Sequence, residues 1–334
     1  MISRVSAELY DAARRRAAFL VRSDRGRIVV SGRDRAMFLQ GLLTNDIAAL
    51  KGGEGCYAAY LTPQGRMIAD LFVYELGDVM LITLPRDIKG TVLARLDQFI
   101  FSEDVQLGDV TDIFVEIAIV GPEAARVVAG IVDRTKEMLM ALPEHGNLRG
   151  QVDGSPAIVT RVADTGEAGF ALYVERPTGG VLEAKLRAAG VVELDAETAE
   201  AIRIETGVPK FHQDMDEETI PLEAGIESRA ISLTKGCYVG QEVIIRVLHR
   251  GHGRVAKKLV GIELDGESVP LRDAVVHAGD RDIGHVTSGV WSPALKRPIA
   301  LGYLHRDFLA PGTEVTVDGS RAVVAELPFV KGPA

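Results

Sequence analysis

The chain has 334 residues, 47% of them hydrophobic, so it is long enough to bury a substantial core and to form two or three domains. Its two cysteines exclude a disulfide scaffold and a metal cage built from thiolates alone. The net charge of −9 disfavours polyanions as general partners, and no apolar run reaches the roughly 18 residues of a membrane span, so we expect a cytoplasmic globular protein without a membrane partner.

Helical and strand-like patterns alternate in the first half of the chain. They predict helices over 6–20, 34–43 and 87–99, and strands over 28–30, 56–61, 67–74, 79–84 and 114–120. Turn residues separate the three central strand runs, which are therefore predicted to form an antiparallel meander. Pro122 predicts the first turn of a further helix.

The second half begins with a loss of periodicity between residues 142 and 156, which predicts a long connection between subdomains. Strands are predicted over 157–161 and 170–174, and helices over 180–189 and 196–206. From residue 254 onward, short alternating runs separated by turns predict a small β-barrel.

A cysteine, Cys237, lies between Gly236 and Gly240, just before a run of helical spacing. A helix N-terminus stabilises a thiolate by only about 0.3 to 1 kcal/mol, less than the roughly 1.36 kcal/mol of one pKa unit. Lys235 must therefore contribute if this thiol is to ionise. The alternative is that Cys237 is a small buried hydrophobic residue, as Cys56 in its strand is expected to be. The glycines indicate either a tight loop into the helix or a loop that gives access to the sulfur.

Basic residues concentrate between Arg246 and Lys258, where no acidic residue intervenes. The run consists of Arg246, His249, Arg250, His252, Arg254, Lys257 and Lys258. It can bind phosphates or a polycarboxylate tail, or it can be a solvated face.

Two carboxylates, Asp70 and Glu205, lie within largely apolar patterns. Each is either turned to water or held in a pocket, where desolvation raises its pKa toward values useful in acid–base catalysis. For Glu205 the plainer alternative is an ion pair on the helix surface.

Several strings, in this order, resemble the glycine cleavage T-protein superfamily. They are Gly32-Arg33-Asp34-Arg35, Phe38-Leu39-Gln40-Gly41, Thr44-Asn45-Asp46, Leu61-Thr62-Pro63-Gln64-Gly65-Arg66, Arg203-x-Glu205-x-Gly207, Pro221-Leu222-Glu223-Ala224-Gly225, Val286-Thr287-Ser288, Ser292-Pro293 and Ala300-x-Gly302-Tyr303. The segment from Lys235 to Glu242 is similar to the signature of the YgfZ branch, folate-binding proteins that support iron–sulfur enzymes. T proteins proper carry a different string there, without the cysteine.

The resemblance implies an α+β fold, in which two interleaved α/β subdomains of the aminomethyltransferase folate-binding type are followed by a C-terminal β-barrel. On this basis the chain divides into 1–145, 146–250 and 251–334. It also implies a tetrahydrofolate site. Such a site needs a carboxylate for the adjacent N–H donors of the pterin, apolar or aromatic walls, and cations for the glutamate tail.

The resemblance also indicates which residues carry the chemistry. Cys237, Lys235 and Asp70 are expected to be catalytic, and no metal site is expected. The residues expected to bind tetrahydrofolate or a one-carbon derivative are Asn45, Asp70, Arg66, Glu205, Glu167, Tyr238, Gln241 and Arg246. T proteins have paired acids where this chain has Ala69 and Asp70, and an acid associated with the pterin where it has Ala171.

Three functions are compatible with these features. The main hypothesis is a tetrahydrofolate-binding accessory protein that supports assembly or repair of iron–sulfur enzymes, with Cys237 as its functional thiol and iron–sulfur proteins or their assembly machinery as partners. The alternative is a tetrahydrofolate-dependent aminomethyl or one-carbon transferase in which Asp70 positions or polarises the reacting amine. The third is a tRNA-binding or tRNA-modification factor that uses the run from Arg246 to Lys258.

Overall fold

The structure is a computed structural model that describes residues 5–249 and 253–331. The first elements are α1 Ala7–Arg15, β1 Ala18–Val21, β2 Arg25–Ser31, α2 Arg35–Leu42, β3 Gly55–Leu61, β4 Met67–Glu75, β5 Met80–Pro85, α3 Lys89–Asp97 and β6 Gln106–Asp109. The middle of the chain contributes β7 Phe114–Val120, α4 Ala124–Ala129, α5 Lys136–Met140, β8 Asn147–Val152, β9 Ser155–Val162, β10 Gly169–Glu175, α6 Arg176–Ala188, β11 Val192–Glu193 and α7 Ala196–Glu205. The last elements are α8 Pro221–Ala224, α9 Glu227–Ala230, α10 Gln241–His249, β12 Lys257–Leu264, β13 Val275–Ala278, β14 Arg281–Ser292, β15 Arg297–His305, β16 Glu314–Val317 and β17 Ser320–Ala325.

The strands form two open sheets and one barrel. One sheet has the order β3-β4-β5-β2-β6, the other has the order β11-β1-β7-β10-β9-β8, and the closed barrel runs β12-β15-β14-β13-β16-β17. The predicted α+β class, the antiparallel meander of β3, β4 and β5, and the C-terminal barrel are therefore confirmed.

The two open sheets are interleaved along the chain. β1 belongs to the six-stranded sheet, and β2 belongs to the five-stranded sheet after a junction of only three residues, 22–24. β7 also precedes residue 145 and pairs with β10 beyond it. The predicted boundary at residue 145 divides the chain but not the sheets, and the division into three domains stays a prediction.

The predicted helix over 6–20 is wrong in its second half. Ser6 does cap α1, where its hydroxyl accepts a hydrogen bond from the Leu9 amide at 3.4 Å, but the helix ends at Arg15. The chain continues into β1, whose residue Phe19 is fully buried. Pairing with β7 and β11 and burial of this apolar segment outweigh the helical spacing of its alanine and leucine residues.

The predicted long connection over 142–156 is also wrong, because it contains β8. This strand pairs with β9 through a hairpin whose turn is Asp153-Gly154, with φ values of 50° and 80°. Asp-Gly favours such positive φ values and is a strong hairpin signal. The sequence therefore did mark this strand, although its apolar pattern is weak.

The helix α7 joins the sheets to the barrel. Ala201 and Ile204 of this helix pack in one buried cluster with barrel residues that include Leu259, Ile299 and Leu301. Within 5–249 and 253–331, no helix combines the length and the apolar character that crossing a membrane requires.

Candidate functional site

A cavity of about 740 Å³ opens between the two sheets, beside α7. Its volume falls in the range of small-molecule sites. The lining residues come from the β1–β2 junction, from β3 and β4, from the loops after β5 and β9, and from the segments around α7: they are 20–25, Tyr57, Asp70, Phe72, 85–87, Glu144, His145, 163–165, 193–196, Ala199, Glu200, Arg203, 208–211 and Arg229.

Asp70 provides a carboxylate inside this cavity. Asp70 and Phe72 share one face of β4, because side chains alternate along a strand, and Tyr57 lies opposite Phe72 on β3. The Tyr57 hydroxyl donates to Asp70 Oδ2 at 2.9 Å, whereas the buried Asp70 Oδ1 has no hydrogen-bond partner among the described residues. Burial raises the pKa of Asp70, although Arg25 and Tyr57 oppose this shift. The carboxyl group can therefore accept an N–H donor and can also hold a proton.

Aromatic rings form a wall beside this carboxylate. The ring centroids of Tyr57 and Phe72 are 5.0 Å apart, and those of Phe72 and His145 are 5.1 Å apart. The guanidinium groups of Arg25 and Arg229 lie over Phe72 at 5.3 Å and over Tyr57 at 5.6 Å, respectively. Burial lowers the pKa of His145, so its imidazole is neutral near pH 7. This wall suits a flat ring system that also presents polar edges.

A second carboxylate, Asp164, lies in the loop after β9. Arg22 donates to Asp164 Oδ2 at 3.0 Å, and the buried Asp164 Oδ1 has no hydrogen-bond partner among the described residues. Burial alone would raise the pKa of Asp164, but Arg22 and Arg25 outweigh it and lower that pKa. Asp164 is therefore ionised at neutral pH.

Cations also line the more exposed part of the cavity. Arg86, Lys210 and Arg229 are exposed, in contrast to Arg25, whose exposed fraction is only 7%. Exposed cations of this kind can bind an anionic extension of a ligand without the desolvation cost of a buried ion pair.

The sequence missed several cavity residues, namely Arg22, Arg25, Tyr57, His145, Asp164 and Arg229. One signal was available for Arg22 and Arg25, because the charged run 22–25 interrupts two apolar segments. The remaining residues meet only through the pairing of distant strands, which no local pattern reveals.

Lys235 forms three hydrogen bonds to α2 and the segment after it. Its buried ammonium donates to the carbonyl oxygens of Gln40, Leu43 and Asn45 at 2.6, 2.6 and 2.9 Å, at the end of α2. Burial lowers the pKa of Lys235 to about 8. These contacts tie the loop before α10 to the end of α2, and a catalytic role of Lys235 stays a prediction.

Cys237 is exposed in the loop before α10, and it is not among the residues that line the cavity. Its neighbour Tyr238 is buried, with the Lys235 ammonium 5.1 Å from the ring centroid. The Tyr238 amide donates to Gln241 Oε1 at 3.3 Å. Tyr238 and Gln241 therefore order this loop and do not line the cavity. Cys56 is buried, as expected, and burial raises the pKa of its thiol to about 12.

Glu167 and Glu205 share Arg14 as an ion-pair partner, and neither lines the cavity. Glu205 is fully buried and also accepts hydrogen bonds from the Tyr10 hydroxyl at 2.6 Å and from Ser292 Oγ at 2.5 Å. Glu205 therefore already has donors at both carboxylate oxygens, and it is not the surface ion pair that the sequence left as its alternative.

The other predicted binding residues differ in their distance from the site. Asn45 Nδ2 donates to the carbonyl oxygens of Tyr57 and Arg229, at 2.8 and 3.1 Å, and so supports two lining residues. Arg66 pairs with Glu218, and Arg246 is exposed on α10; neither lines the cavity.

The described residues of the predicted basic run are divided between α10, the segment after it and β12. Lys257 lies over the ring of Tyr303 at 4.8 Å, and Lys258 pairs with Glu227 at 3.6 Å. Arg250 and His252 lie outside the described residues. In the part of the chain that the structure describes, no group of three or more His, Cys, Asp or Glu side chains is arranged to hold a metal ion.

Comparison with known families matches almost the whole chain. Residues 2–235 match the GCVT N-terminal domain, and residues 257–331 match the glycine cleavage T-protein C-terminal barrel domain. The chain belongs to the glycine cleavage T-protein family.

Individual relatives agree with this assignment. The chain is 34% identical to an aminomethyltransferase of Rubrobacter xylanophilus, over 88% of this chain and 78% of the relative. It is 31% identical to an aminomethyltransferase of Nostoc sp., over 96% of this chain and 87% of the relative. The crystal structure of the glycine cleavage system aminomethyltransferase T from Bartonella henselae matches with a TM-score of 0.86 at 24% identity, covering 97% of this chain and 89% of that one, which shows the shared fold.

These comparisons overturn the main functional hypothesis. The relatives above are named aminomethyltransferases, so the prediction of an accessory protein for iron–sulfur enzymes is wrong, together with the role of Cys237 as its functional thiol. Neither iron–sulfur proteins nor tRNA receive support as partners from these relatives.

Proposed function

We propose that the chain is a tetrahydrofolate-dependent aminomethyl or one-carbon transferase and that the cavity between the sheets is its active site. Aminomethyltransferases of this family use tetrahydrofolate, so the expected cofactor is confirmed at the level of the family. The observation that carries the proposal is Asp70, a buried carboxylate at the wall of a large cavity, one oxygen of which has no hydrogen-bond partner in the described part of the chain.

The residues of the cavity fit a reduced folate. Asp70 Oδ1 is an acceptor for N–H donors of the pterin, Tyr57, Phe72 and His145 supply the wall for its rings, and the exposed cations suit its glutamate tail. When bound, tetrahydrofolate supplies the nitrogen atoms that take up the one-carbon unit.

Asp70 is the residue that we assign to proton transfer. Because burial raises its pKa while Tyr57 fixes one oxygen, it can orient a reacting amine and exchange a proton with it. Ala69 and Ala171 carry no carboxyl group, so this chain assigns to Asp70 the acid functions that T proteins share among more residues. Arg25 limits the cost of the negative charge.

The decisive variant is Asp70→Asn. With tetrahydrofolate and a methylamine donor, we expect turnover to fall by about 10²- to 10⁴-fold, since the asparagine cannot take up a proton. Affinity for tetrahydrofolate, measured by calorimetric titration, should change by much less, because the asparagine oxygen remains an acceptor.

The matched control is Asp282→Asn, on the barrel strand β14, where the side chain is 73% exposed. It should behave as the wild type in both measurements. Failure of the wild type to turn over any methylamine donor would contradict the proposal, and so would full turnover by Asp70→Asn.

Two finer assignments stay predictions. The first is a place in the YgfZ branch of the family, which the segment from Lys235 to Glu242 supports. The position of this segment outside the cavity is compatible with that placement but is not evidence for it. The second is the cytoplasmic location that we expect from the composition.

A further inference from the structure

The cavity is lined by two carboxylates with the same hydrogen-bonding pattern. Tyr57 holds Asp70 Oδ2 at 2.9 Å, and Arg22 holds Asp164 Oδ2 at 3.0 Å. In each residue the other oxygen, Oδ1, is buried and has no hydrogen-bond partner among the described residues. An unsatisfied buried acceptor is costly, so a pair of them at one cavity indicates that a ligand supplies the missing donors.

The two free oxygens belong to different walls. Asp70 lies on β4 of the five-stranded sheet, and Asp164 follows β9 of the six-stranded sheet. Arg25 acts electrostatically on both, since its charge opposes the effect of burial on the pKa of each carboxyl group. A ligand that satisfies both walls must therefore carry N–H donors at two separate places.

The pterin ring itself meets this requirement only in its reduced form, whereas the N10–H of the linker is a donor in every oxidation state. The 2-amino group and N3–H are donors in every oxidation state and suit one carboxylate. In tetrahydrofolate N5 and N8 also carry hydrogens, in dihydrofolate only N8 does, and in folic acid both atoms present lone pairs. A carboxylate beside these atoms accepts from the reduced ring and repels the lone pairs of the oxidised ring.

We infer that Asp164 is a second pterin-binding residue and that it selects the reduced folate over the oxidised one. This inference rests on the proposed function of the cavity. Asp164 suits the role because Arg22 and Arg25 keep it ionised, so it presents no donor of its own to an unprotonated ring nitrogen. Asp70, on the wall formed by the five-stranded sheet, then accepts from the other N–H donors of the pterin.

The test is calorimetric titration under anaerobic conditions with tetrahydrofolate, dihydrofolate and folic acid. We expect the wild type to bind tetrahydrofolate at least tenfold more tightly than folic acid. In Asp164→Asn this ratio should fall by about tenfold or more, because the amide can donate to a ring lone pair and the charged hydrogen bond is lost. The affinity for dihydrofolate identifies which nitrogen Asp164 contacts: a value near that of tetrahydrofolate assigns N8, and one near that of folic acid assigns N5.

Two further variants separate selection from folding. Asp164→Glu keeps the carboxylate and should retain most of the ratio, whereas Asp282→Asn should leave it unchanged. A purely structural role would weaken all three ligands equally and leave the ratio intact, which would overturn the inference while tetrahydrofolate binding still supported the proposed function. Absence of tetrahydrofolate binding in the wild type would overturn both.

Discussion

Asp70 and Asp164 differ in their pKa shifts although each has a buried carboxylate oxygen at the same cavity. For Asp70 the loss of solvation is larger than the effect of its neighbours, so its pKa is raised. For Asp164 the ion pair with Arg22 and the charge of Arg25 reverse the effect of burial. Paired carboxyl groups whose pKa values diverge are characteristic of sites that move protons at neutral pH.

His145 gives a pH dependence of stability that can be measured directly. Burial lowers its pKa below 6.5 in the folded protein, so between that lowered value and pH 6.5 the unfolded chain binds the proton more readily. Stability from this residue is therefore complete above pH 6.5 and is lost as the pH falls.

The matching variant is His145→Asn, since asparagine tolerates the positive φ of 59° at this position. We expect the thermal midpoint of the wild type to drop more between pH 7.5 and 5.5 than that of the variant. Equal drops in the two proteins would show that the imidazole is not protected from protonation.

At the scale of elements, the loop before α10 packs directly on the turn between β3 and β4. Gly240 has a φ of 85°, and a Cβ placed there would lie 2.5 Å from the carbonyl oxygen of Thr62. Gly236, on the other side of Cys237, has no atom within 4 Å of such a Cβ. The glycine at 240 therefore serves the contact between loop and turn, not access to the sulfur.

Gly240→Ala should lower the free energy of unfolding by about 1–3 kcal/mol, because alanine is strained at positive φ and its methyl group meets backbone. Gly236→Ala is the matched control and should change it by less than about 0.5 kcal/mol. Chemical denaturation measures both. A Gly240→Ala variant as stable as Gly236→Ala would contradict the packing of this loop.

The sequence predicts elements well where apolar periodicity and turn residues agree. The meander of β3 to β5, the helix α7 with its Asp195 cap and the barrel strands are of this kind. It fails at β1, where pairing with distant strands decides the conformation. For the site, the position of an acid within an apolar strand correctly pointed to Asp70 as a cavity residue. The same kind of pattern around Glu205 was misleading, because Glu205 is buried away from the cavity.

At the scale of the whole molecule, a buried polar cluster connects α7 and the segment that follows it to the barrel. Arg203 of α7 donates to Asp214 at 2.7 Å, and Asp214 Oδ1 accepts from the hydroxyls of Thr287 at 2.5 Å and Ser288 at 2.6 Å on β14. Both charged residues are buried. Without Asp214, Arg203 keeps its ion pair with Glu200 but loses its most deeply buried acidic partner, and the hydroxyls of Thr287 and Ser288 lose their buried acceptor.

Asp214→Ala should therefore destabilise the protein by about 3–5 kcal/mol. The single tryptophan, Trp291, lies on β14, so its fluorescence reports on the barrel while far-ultraviolet circular dichroism reports on the whole chain. We expect the two unfolding curves to coincide in the wild type and to separate in the variant, with the fluorescence change occurring first. Coincident curves in both proteins would mean that the cluster does not couple barrel and sheets.

The three-residue junction between β1 and β2 also governs how the chain is made. During synthesis the five-stranded sheet has all its strands once residue 109 has emerged, but β1 must await β7 and finally β11, which ends at residue 193. Until then the apolar segment 18–20 adjoins the five-stranded sheet but lacks its full set of strand partners. A ribosome-bound intermediate therefore exposes the apolar segment 18–20 to chaperones, and the cavity, whose lining extends to Arg229, is complete only late in translation.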